Sequence, residues 1–170
     1  AAPKRAPKRG DADTARAVFK KLSAHHADAH CELDHRNPFE LLIATVLSAQ
    51  STDVMVNRIT PEVFRRWPDA EALSRPTTEE VEGVLNKIGM YRQKTKNILG
   101  LSRLLLDRHG GEVPRSMAEL VELPGVGRKT ANVVLGVAYD APQGVVPDAA
   151  WEAAVAFDDQ QHRQLRSTLL

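Results

Sequence analysis

Cysteine is almost missing from this sequence: Cys31 is the one cysteine among 170 residues. A single thiol excludes a disulfide framework within these residues. For the same reason, these 170 residues cannot form a cysteine-rich zinc site or supply the four cysteine thiolates that hold an iron–sulfur cluster. The sequence also lacks an apolar run long enough to cross a membrane and the pattern of a signal peptide. We therefore expect a soluble intracellular protein with no membrane partner.

Convincing strands are missing as well, because no stretch alternates apolar and polar residues over the length of a strand. The apolar residues, 42% of the chain, recur instead at helical spacing. Seven or eight such segments follow one another with short connections. The sequence therefore predicts an all-α fold with a core built from packed helices.

Capping residues indicate where several of these helices begin. Residues 37–40, Asn-Pro-Phe-Glu, start an almost wholly apolar helix, which we expect at the centre of the domain. Residues 52–53, Thr-Asp, start the next helix, in which Pro61 predicts a break or a fresh start. Residues 77–80 form a capping box, and Gly89 is expected to close the helix that it opens.

The most informative segment is residues 123–130, Leu-Pro-Gly-Val-Gly-Arg-Lys-Thr. Ser116 and Glu119 predict the start of a short helix before it, and apolar residues at 3.6 spacing predict a second helix after it. In this helix–hairpin–helix the backbone N–H groups of residues 125–127 and the positive end of the second helix point one way. We predict that a phosphate binds there, with Lys129 beside it.

The net charge of +1 conceals an uneven distribution of charge along the chain. Residues 87–130, which include the hairpin, contain nine basic and four acidic side chains, a net charge of +5. Residues 37–86 carry −4 and residues 131–170 carry −3. The basic section is compatible with a phosphate-bearing partner. A solvated helix surface of the same composition is the alternative.

One group of side chains has the spacing of metal ligands. His26 and His30 are four residues apart and would share a helix face, and Cys31 is adjacent. No second cysteine supports a zinc site, so we predict that these residues bind no metal.

Separate segments of the chain resemble one family, that of endonuclease III, in the same order. They are NPFELLIATVLSAQSTD at 37–53, IGMYRQKTKNI at 88–98 and LPGVGRKTANVVL at 123–135. The resemblance covers roughly residues 13–146 and ends in the helix–hairpin–helix motif, and several motifs in order are far more specific than one alone.

The resemblance implies the architecture of the helix–hairpin–helix DNA glycosylases, with a six-helix-barrel type domain and an incomplete second domain. The barrel would occupy residues 37–146, with the helix–hairpin–helix at 116–139. A disordered basic tail over 1–12 and an N-terminal helix and loop over 13–36 would precede it. Residues 147–170 would form a divergent or truncated C-terminal tail.

The same resemblance implies a base-excision DNA glycosylase with abasic-site lyase activity on oxidised pyrimidines in damaged double-stranded DNA. Lys129 would attack C1′ of the damaged nucleotide, displace the base and form a Schiff base, after which β-elimination cuts the strand. Gln50 would fill the space left by the flipped-out base, and Met90 would act as the apolar wedge. The remaining DNA contacts implied in the hairpin are Leu123, Gly125, Val126, Gly127, Arg128 and Thr130.

The match to the family is incomplete after residue 146. Asp148 corresponds to the family's second catalytic residue, a carboxylate that would assist the proton transfers. It lacks the Thr and His that follow in the family, and after Pro147 it serves equally well as a helix N-cap. The family's [4Fe–4S] cluster would be expected, but its four cysteine ligands are absent. A truncated or frameshifted gene and a sequence that lacks segments both explain this absence.

Two alternatives to a glycosylase stay open on the sequence alone. A non-catalytic helix–hairpin–helix module would hold backbone phosphates without reading the base sequence. A truncated, inactive paralogue would have no function. The related adenine-glycosylase branch is disfavoured, because it lacks a nucleophilic lysine at the position of Lys129. We expect a monomer that acts in the cytoplasm, in association with the nucleoid.

Overall fold

The computed structural model describes residues 12–27 and 30–140, with side chains from residue 14 onward. The chain divides into two compact units: α1 (Ala12–His25) belongs to one, and residues Cys31–Gln143 form the other. Nearly all of the predicted basic tail and the whole predicted C-terminal segment, with Asp148, lie outside the described residues.

The described residues contain eight helices and no strand, which confirms the all-α prediction. Seven of these helices belong to the second unit. They are α2 (Pro38–Ser48), α3 (Asp53–Arg66), α4 (Ala70–Ser74), α5 (Thr78–Leu85), α6 (Tyr91–His109), α7 (Met117–Leu120) and α8 (Arg128–Ala138).

In the first unit, α1 is amphipathic. Its apolar side chains Val18, Phe19 and Leu22 are between 51% and 56% exposed. Neither α1 nor any other helix of the described ranges is both long and apolar enough to span a bilayer.

The central helix of the second unit is α2, as its apolar sequence predicts. Nine of its eleven residues are buried, and it contacts α3, α6 and α8. The Asn37 side chain caps the helix by accepting the N–H of Glu40 at 2.9 Å. The buried Glu40 carboxylate in turn accepts the backbone N–H of Arg36 at 2.8 Å and its guanidinium Nε–H at 3.0 Å. The start of α2 is therefore fixed by local hydrogen bonds that also satisfy its buried acid.

Pro61 does not interrupt α3, so the predicted break is wrong. The helix begins at the predicted cap, Thr52, and runs through Pro61 to Arg66. Pro61 is exposed, whereas Ile59, Thr60, Val63 and Phe64 on either side of it are buried. Burial of the turns before and after the proline stabilises the helix by more than the missing N–H costs. This stabilisation comes from tertiary packing, so the local sequence does not reveal it.

The helix α5 starts at the predicted capping box of Thr77 and Glu80 but ends at Leu85, so Gly89 does not close it. The chain tightens after Leu85 into a turn in which the Ile88 N–H donates to the Leu85 carbonyl at 3.0 Å. That turn brings Ile88 into the core, where it is 3% exposed. Burial of Ile88 therefore decides where the helix ends.

The longest helix, α6, supports the segments that carry the predicted site residues. It begins after Met90 and ends at Gly110, whose φ of 59° is left-handed. It packs against α2, α4 and α5. The turns that follow α2 and α5, and the hairpin between α7 and α8, all approach this helix.

Candidate functional site

The hairpin between α7 and α8 is anchored by its two large apolar side chains. Leu123 and Val126 are 2% and 5% exposed. The Val126 N–H donates to the Leu123 carbonyl at 3.0 Å and closes a tight turn over Pro124 and Gly125. The side chains of these two predicted contact residues are therefore used in packing, and only their backbone groups are left for the predicted contact with a ligand.

Gly125 is where the hairpin presses most closely on α6. Its φ is 79°, and a Cβ built on it would lie 2.7 Å from Nδ2 and 2.9 Å from Cβ of Asn97. A Cβ on Gly100, one turn further along α6, would lie 3.4 Å from Cγ of Pro124. Only glycine satisfies both the left-handed backbone and the space at position 125. The hairpin is thus seated directly on the middle of α6.

Residues 127–129, at the start of α8, are exposed. Gly127 is the N-cap, with an extended φ of −94°, and makes no side-chain cap hydrogen bond. A Cβ on Gly127 would meet nothing within 4 Å. The first N–H groups of any α-helix have no acceptor within that helix, and their end of the helix carries a positive partial charge. Exposed Arg128 and Lys129 add two full charges, and the turn contains no acidic residue.

Lys129 is the second residue of α8 and is exposed, and Thr130 beside it is half-buried. This turn can accept an anion at its N–H groups and present an amine to whatever that anion is attached to. The two helices of the motif were predicted at these positions from the sequence. The roles of Lys129 and of the hairpin residues in binding stay predictions.

Gln50 and Met90, far apart in the sequence, lie on neighbouring turns. The carbonyl oxygen of Gln50 lies 3.9 Å from the point that a Cβ of Gly89 would occupy. Both side chains are exposed, Met90 by 56%. Both residues also have left-handed backbones, with φ of 55° and 58°. The structure therefore brings together the two residues predicted to enter a duplex.

A buried lysine that was not among the predicted site residues lies beside these two turns. Lys94 is 3% exposed, and its Nζ donates to Ser51 Oγ at 2.8 Å. Burial lowers the pKa of Lys94 from its ordinary value. The signal in the sequence is that Lys94 occupies a helical stripe with Ile98, Leu101 and Leu105, where every other member is apolar.

The helix α6 connects the two parts of the candidate site. Met90 is its N-cap, and Asn97, under the hairpin, lies two turns further on, a rise of about 10 Å along the axis. Asp148, the remaining predicted catalytic residue, lies outside the described residues. Nowhere in the described ranges do three or more His, Cys, Asp or Glu side chains cluster as a metal site would require, and this includes the surroundings of His26.

Comparison with known protein families identifies the superfamily to which the chain belongs. Residues 43–163 match the family described as HhH-GPD superfamily base excision DNA repair protein. The chain belongs to this superfamily. The matched range passes Asp148 and continues beyond residue 146, where the resemblance by motifs ends.

Two endonuclease III proteins show how similar the superfamily's members are to this chain. The chain is 52% identical to endonuclease III of Bacillus subtilis over 122 residues, which cover 72% of this chain and 56% of that protein. It is 47% identical to endonuclease III of Synechocystis over 131 residues, covering 77% and 58%. The chain therefore matches somewhat more than half the length of these relatives.

A solved structure of a trapped endonuclease III–DNA covalent intermediate has the same fold. It superposes with a TM-score of 0.74 at 48% identity and covers 76% of this chain and 61% of that one. A non-covalent endonuclease III–DNA complex superposes with a TM-score of 0.75 at 46% identity. The predicted architecture of the helix–hairpin–helix glycosylases is thereby confirmed.

The residues present do not fit the iron–sulfur cluster that the resemblance implies. Such a cluster needs four thiolates, and the 170 residues contain only Cys31. Cys31 is a free, half-buried thiol that packs against the core of the second unit.

Proposed function

We propose that this protein is a base-excision repair DNA glycosylase with abasic-site lyase activity, acting as a monomer on oxidised pyrimidines in damaged double-stranded DNA. The observation that carries the proposal is the exposed Lys129 in the first turn of α8, directly after a hairpin seated on α6. Membership of a base-excision repair superfamily and likeness to a trapped covalent complex with DNA support it. With chromosomal DNA as substrate, the proposed place of action is the nucleoid in the cytoplasm.

In the proposed reaction the unprotonated amine of Lys129 attacks C1′ of the damaged nucleotide. The bond from C1′ to the base breaks, and the base leaves with the electron pair and takes up a proton. The nitrogen, after losing a proton, forms a double bond to C1′ as the C1′–O4′ bond breaks and O4′ takes up a proton, which opens the sugar ring and leaves a Schiff base between Nζ and C1′. Loss of a proton from C2′ then expels the 3′ phosphate, which is the β-elimination that cuts the strand. The hairpin holds the nucleotide at reacting distance.

The hairpin's part is to hold the backbone of the DNA. Anions bind at helix N-termini because the N–H groups and the helix dipole both favour negative charge. Gly127 has no side chain to cover these groups, and the exposed Lys129 adds a charge beside them. Contacts of this kind position the protein on DNA without reading its sequence, as a repair enzyme that scans for lesions requires.

Gln50 and Met90 are proposed to stabilise the duplex after the damaged nucleotide has left the stack. Flipping a nucleotide costs a few kcal/mol of stacking and pairing, on the order of what an inserted side chain can return. Two exposed side chains on adjoining turns supply a polar filler and an apolar wedge together. Asp148 is proposed as the carboxylate that accepts and returns protons during the lyase steps.

Borohydride trapping on a duplex with one abasic site tests the chemistry. The 170-residue chain should form a covalent adduct with the DNA, because borohydride reduces the Schiff base to a stable amine. Lys129→Arg keeps the positive charge but should lose the adduct completely, while Lys96→Arg, at an exposed lysine of α6, serves as the matched control. Binding without an adduct would identify a non-catalytic module, and absence of both would identify an inactive paralogue.

A salt titration tests the phosphate contact separately from the chemistry. If Lys129 neutralises one phosphate, Lys129→Ala should reduce the slope of log K against log salt by about 1. An unchanged slope would remove Lys129 from the DNA interface, whatever the trapping result.

A further inference from the structure

One hydrogen bond joins α6 to the turn that carries Gln50. Lys94 Nζ donates to Ser51 Oγ at 2.8 Å across 43 residues of sequence. Ser51 is also attached to the end of α2, because its N–H donates to the Ser48 carbonyl at 2.9 Å. The N–H of Lys94 donates to the Met90 carbonyl at 3.0 Å in the first turn of α6. Lys94 therefore contacts both turns, one through its side chain and one through its backbone.

Burial of a lysine at this position costs free energy. A buried ammonium loses its hydration, and fully buried lysines are rare unless they are paired with an acid. In the described part of the chain, no carboxylate lies within ion-pair distance of Lys94, and the neutral hydroxyl of Ser51 is the side-chain partner that it has. An apolar residue would match the rest of the stripe at lower cost. The lysine thus provides something that packing alone does not.

The backbone around it shows what the lysine provides. Gln50 and Met90 both have φ near +55°, which is unfavourable for residues with a side chain. Such conformations persist only where the surroundings hold them, and they are frequent in ligand-binding segments. The hydrogen bond from Lys94 fixes the residue that directly follows Gln50. It thereby fixes the distance between the Gln50 turn and the turn that ends in Met90.

We propose that Lys94, through Ser51, is a positioning residue that holds the Gln50 turn against the start of α6. Gln50 and Met90 then enter the duplex as one preformed unit. This inference rests on the proposed function, in which both side chains enter DNA at a lesion. It adds the residue pair that sets their spacing and assigns Lys94 no contact with the reacting atoms.

Three serine variants test the inference with little change to the core. Ser51→Ala removes the acceptor, Ser51→Thr retains it, and Ser48→Ala removes a hydroxyl that bonds within its own helix, to the Thr45 carbonyl. The probe is a duplex with a tetrahydrofuran abasic analogue opposite 2-aminopurine, compared with the undamaged duplex. Ser51→Ala should lose about tenfold of the preference for the abasic duplex and most of the fluorescence change, since a hydrogen bond to a charged group is lost. Ser51→Thr and Ser48→Ala should keep both.

A merely structural role would lower the affinity for both duplexes and leave their ratio unchanged, so the ratio decides the matter. Lys94→Met should reduce the ratio as Ser51→Ala does, and the double variant should lose no more than either single one. If the wild-type chain shows no preference for the abasic duplex, the proposed function fails. If the wild type shows the preference and Ser51→Ala keeps it, the inference about Lys94 fails alone. Should Lys94→Met not fold, the serine variants still decide.

Discussion

The hairpin and the Gln50 and Met90 turns each place a left-handed residue beside α6, but they do so in opposite ways. In the hairpin the residue is Gly125, where Asn97 leaves no space for a side chain. In the two turns the residues are Gln50 and Met90, whose side chains are retained and exposed. For an L-residue, the left-handed conformation costs about 1–2 kcal/mol.

This difference suggests a separate test for the backbone of the hairpin and for the side chains of the two turns. In the hairpin, a glycine brings the backbone close to α6, and the proposed contact with DNA is made by backbone N–H groups. The two turns retain residues with left-handed strain that glycine would relieve, and the proposed contact with DNA is made by their exposed side chains. Replacing the hairpin glycine by a larger residue, or a residue of the two turns by glycine, therefore tests this difference.

Gly125→Ala should have the largest effect on stability. The new Cβ meets the side chain of Asn97, which is fixed on α6, and the backbone must stay left-handed at φ 79°. Strain and overpacking together should lower the free energy of unfolding by about 2–4 kcal/mol, measured by urea denaturation. Gly127→Ala is the matched control, because its Cβ meets nothing, and it should cost under about 1 kcal/mol.

Asn97→Ala tests how much of the loss at Gly125 is steric. Combined with Gly125→Ala it removes Nδ2 and Cγ from the clash and should recover part of the loss, while the 2.9 Å contact with Cβ of residue 97 and the backbone strain remain. If Gly125→Ala costs no more than Gly127→Ala, the hairpin is not seated on Asn97 and the contrast fails.

The contrast also shows which features the sequence reveals. The caps at Asn37, Thr52 and Thr77 were predictable, because a cap is formed by residues within four positions of one another. The ends signalled by Pro61 and Gly89 were predicted wrongly: α3 runs through Pro61, whose neighbours are buried, and α5 ends at Leu85, before it reaches Gly89.

Within the site, the hairpin was predictable for the same reason, because its glycines and helix boundaries lie in one short segment. The Lys94–Ser51 hydrogen bond could not be predicted, because its partners are 43 residues apart in the sequence and neither residue indicates that the other is its partner. The left-handed backbones of Gln50 and Met90 were not predictable either, since neither type favours that conformation.

Met90→Gly should have a smaller effect, of the opposite sign to Gly125→Ala. Relief of the left-handed strain should raise the free energy of unfolding by up to about 1 kcal/mol after the added entropy of the unfolded chain is subtracted. The preference for a duplex with an abasic site should fall in the same variant. Val54→Gly is the control: Val54 is 62% exposed but helical, and its loss should destabilise by about 0.5 kcal/mol. Equal destabilisation by both variants would mean that Met90 is not strained.

The smallest expected effect is a pH dependence that belongs to Lys94. Burial lowers the pKa of Lys94 from its ordinary 10.5. Between the lowered value and 10.5 the unfolded chain binds more protons than the folded protein, so the free energy of unfolding rises with pH in that window. Lys94→Met cannot titrate, and the wild type should therefore gain stability relative to this variant as the pH approaches 10.5. Lys96→Met, at an exposed lysine of the same helix, controls for the loss of a positive charge. A difference that stays level or falls would mean that the amine is hydrated in the folded protein, and the Gln50 turn would then lack the buried partner that distinguishes it from the hairpin.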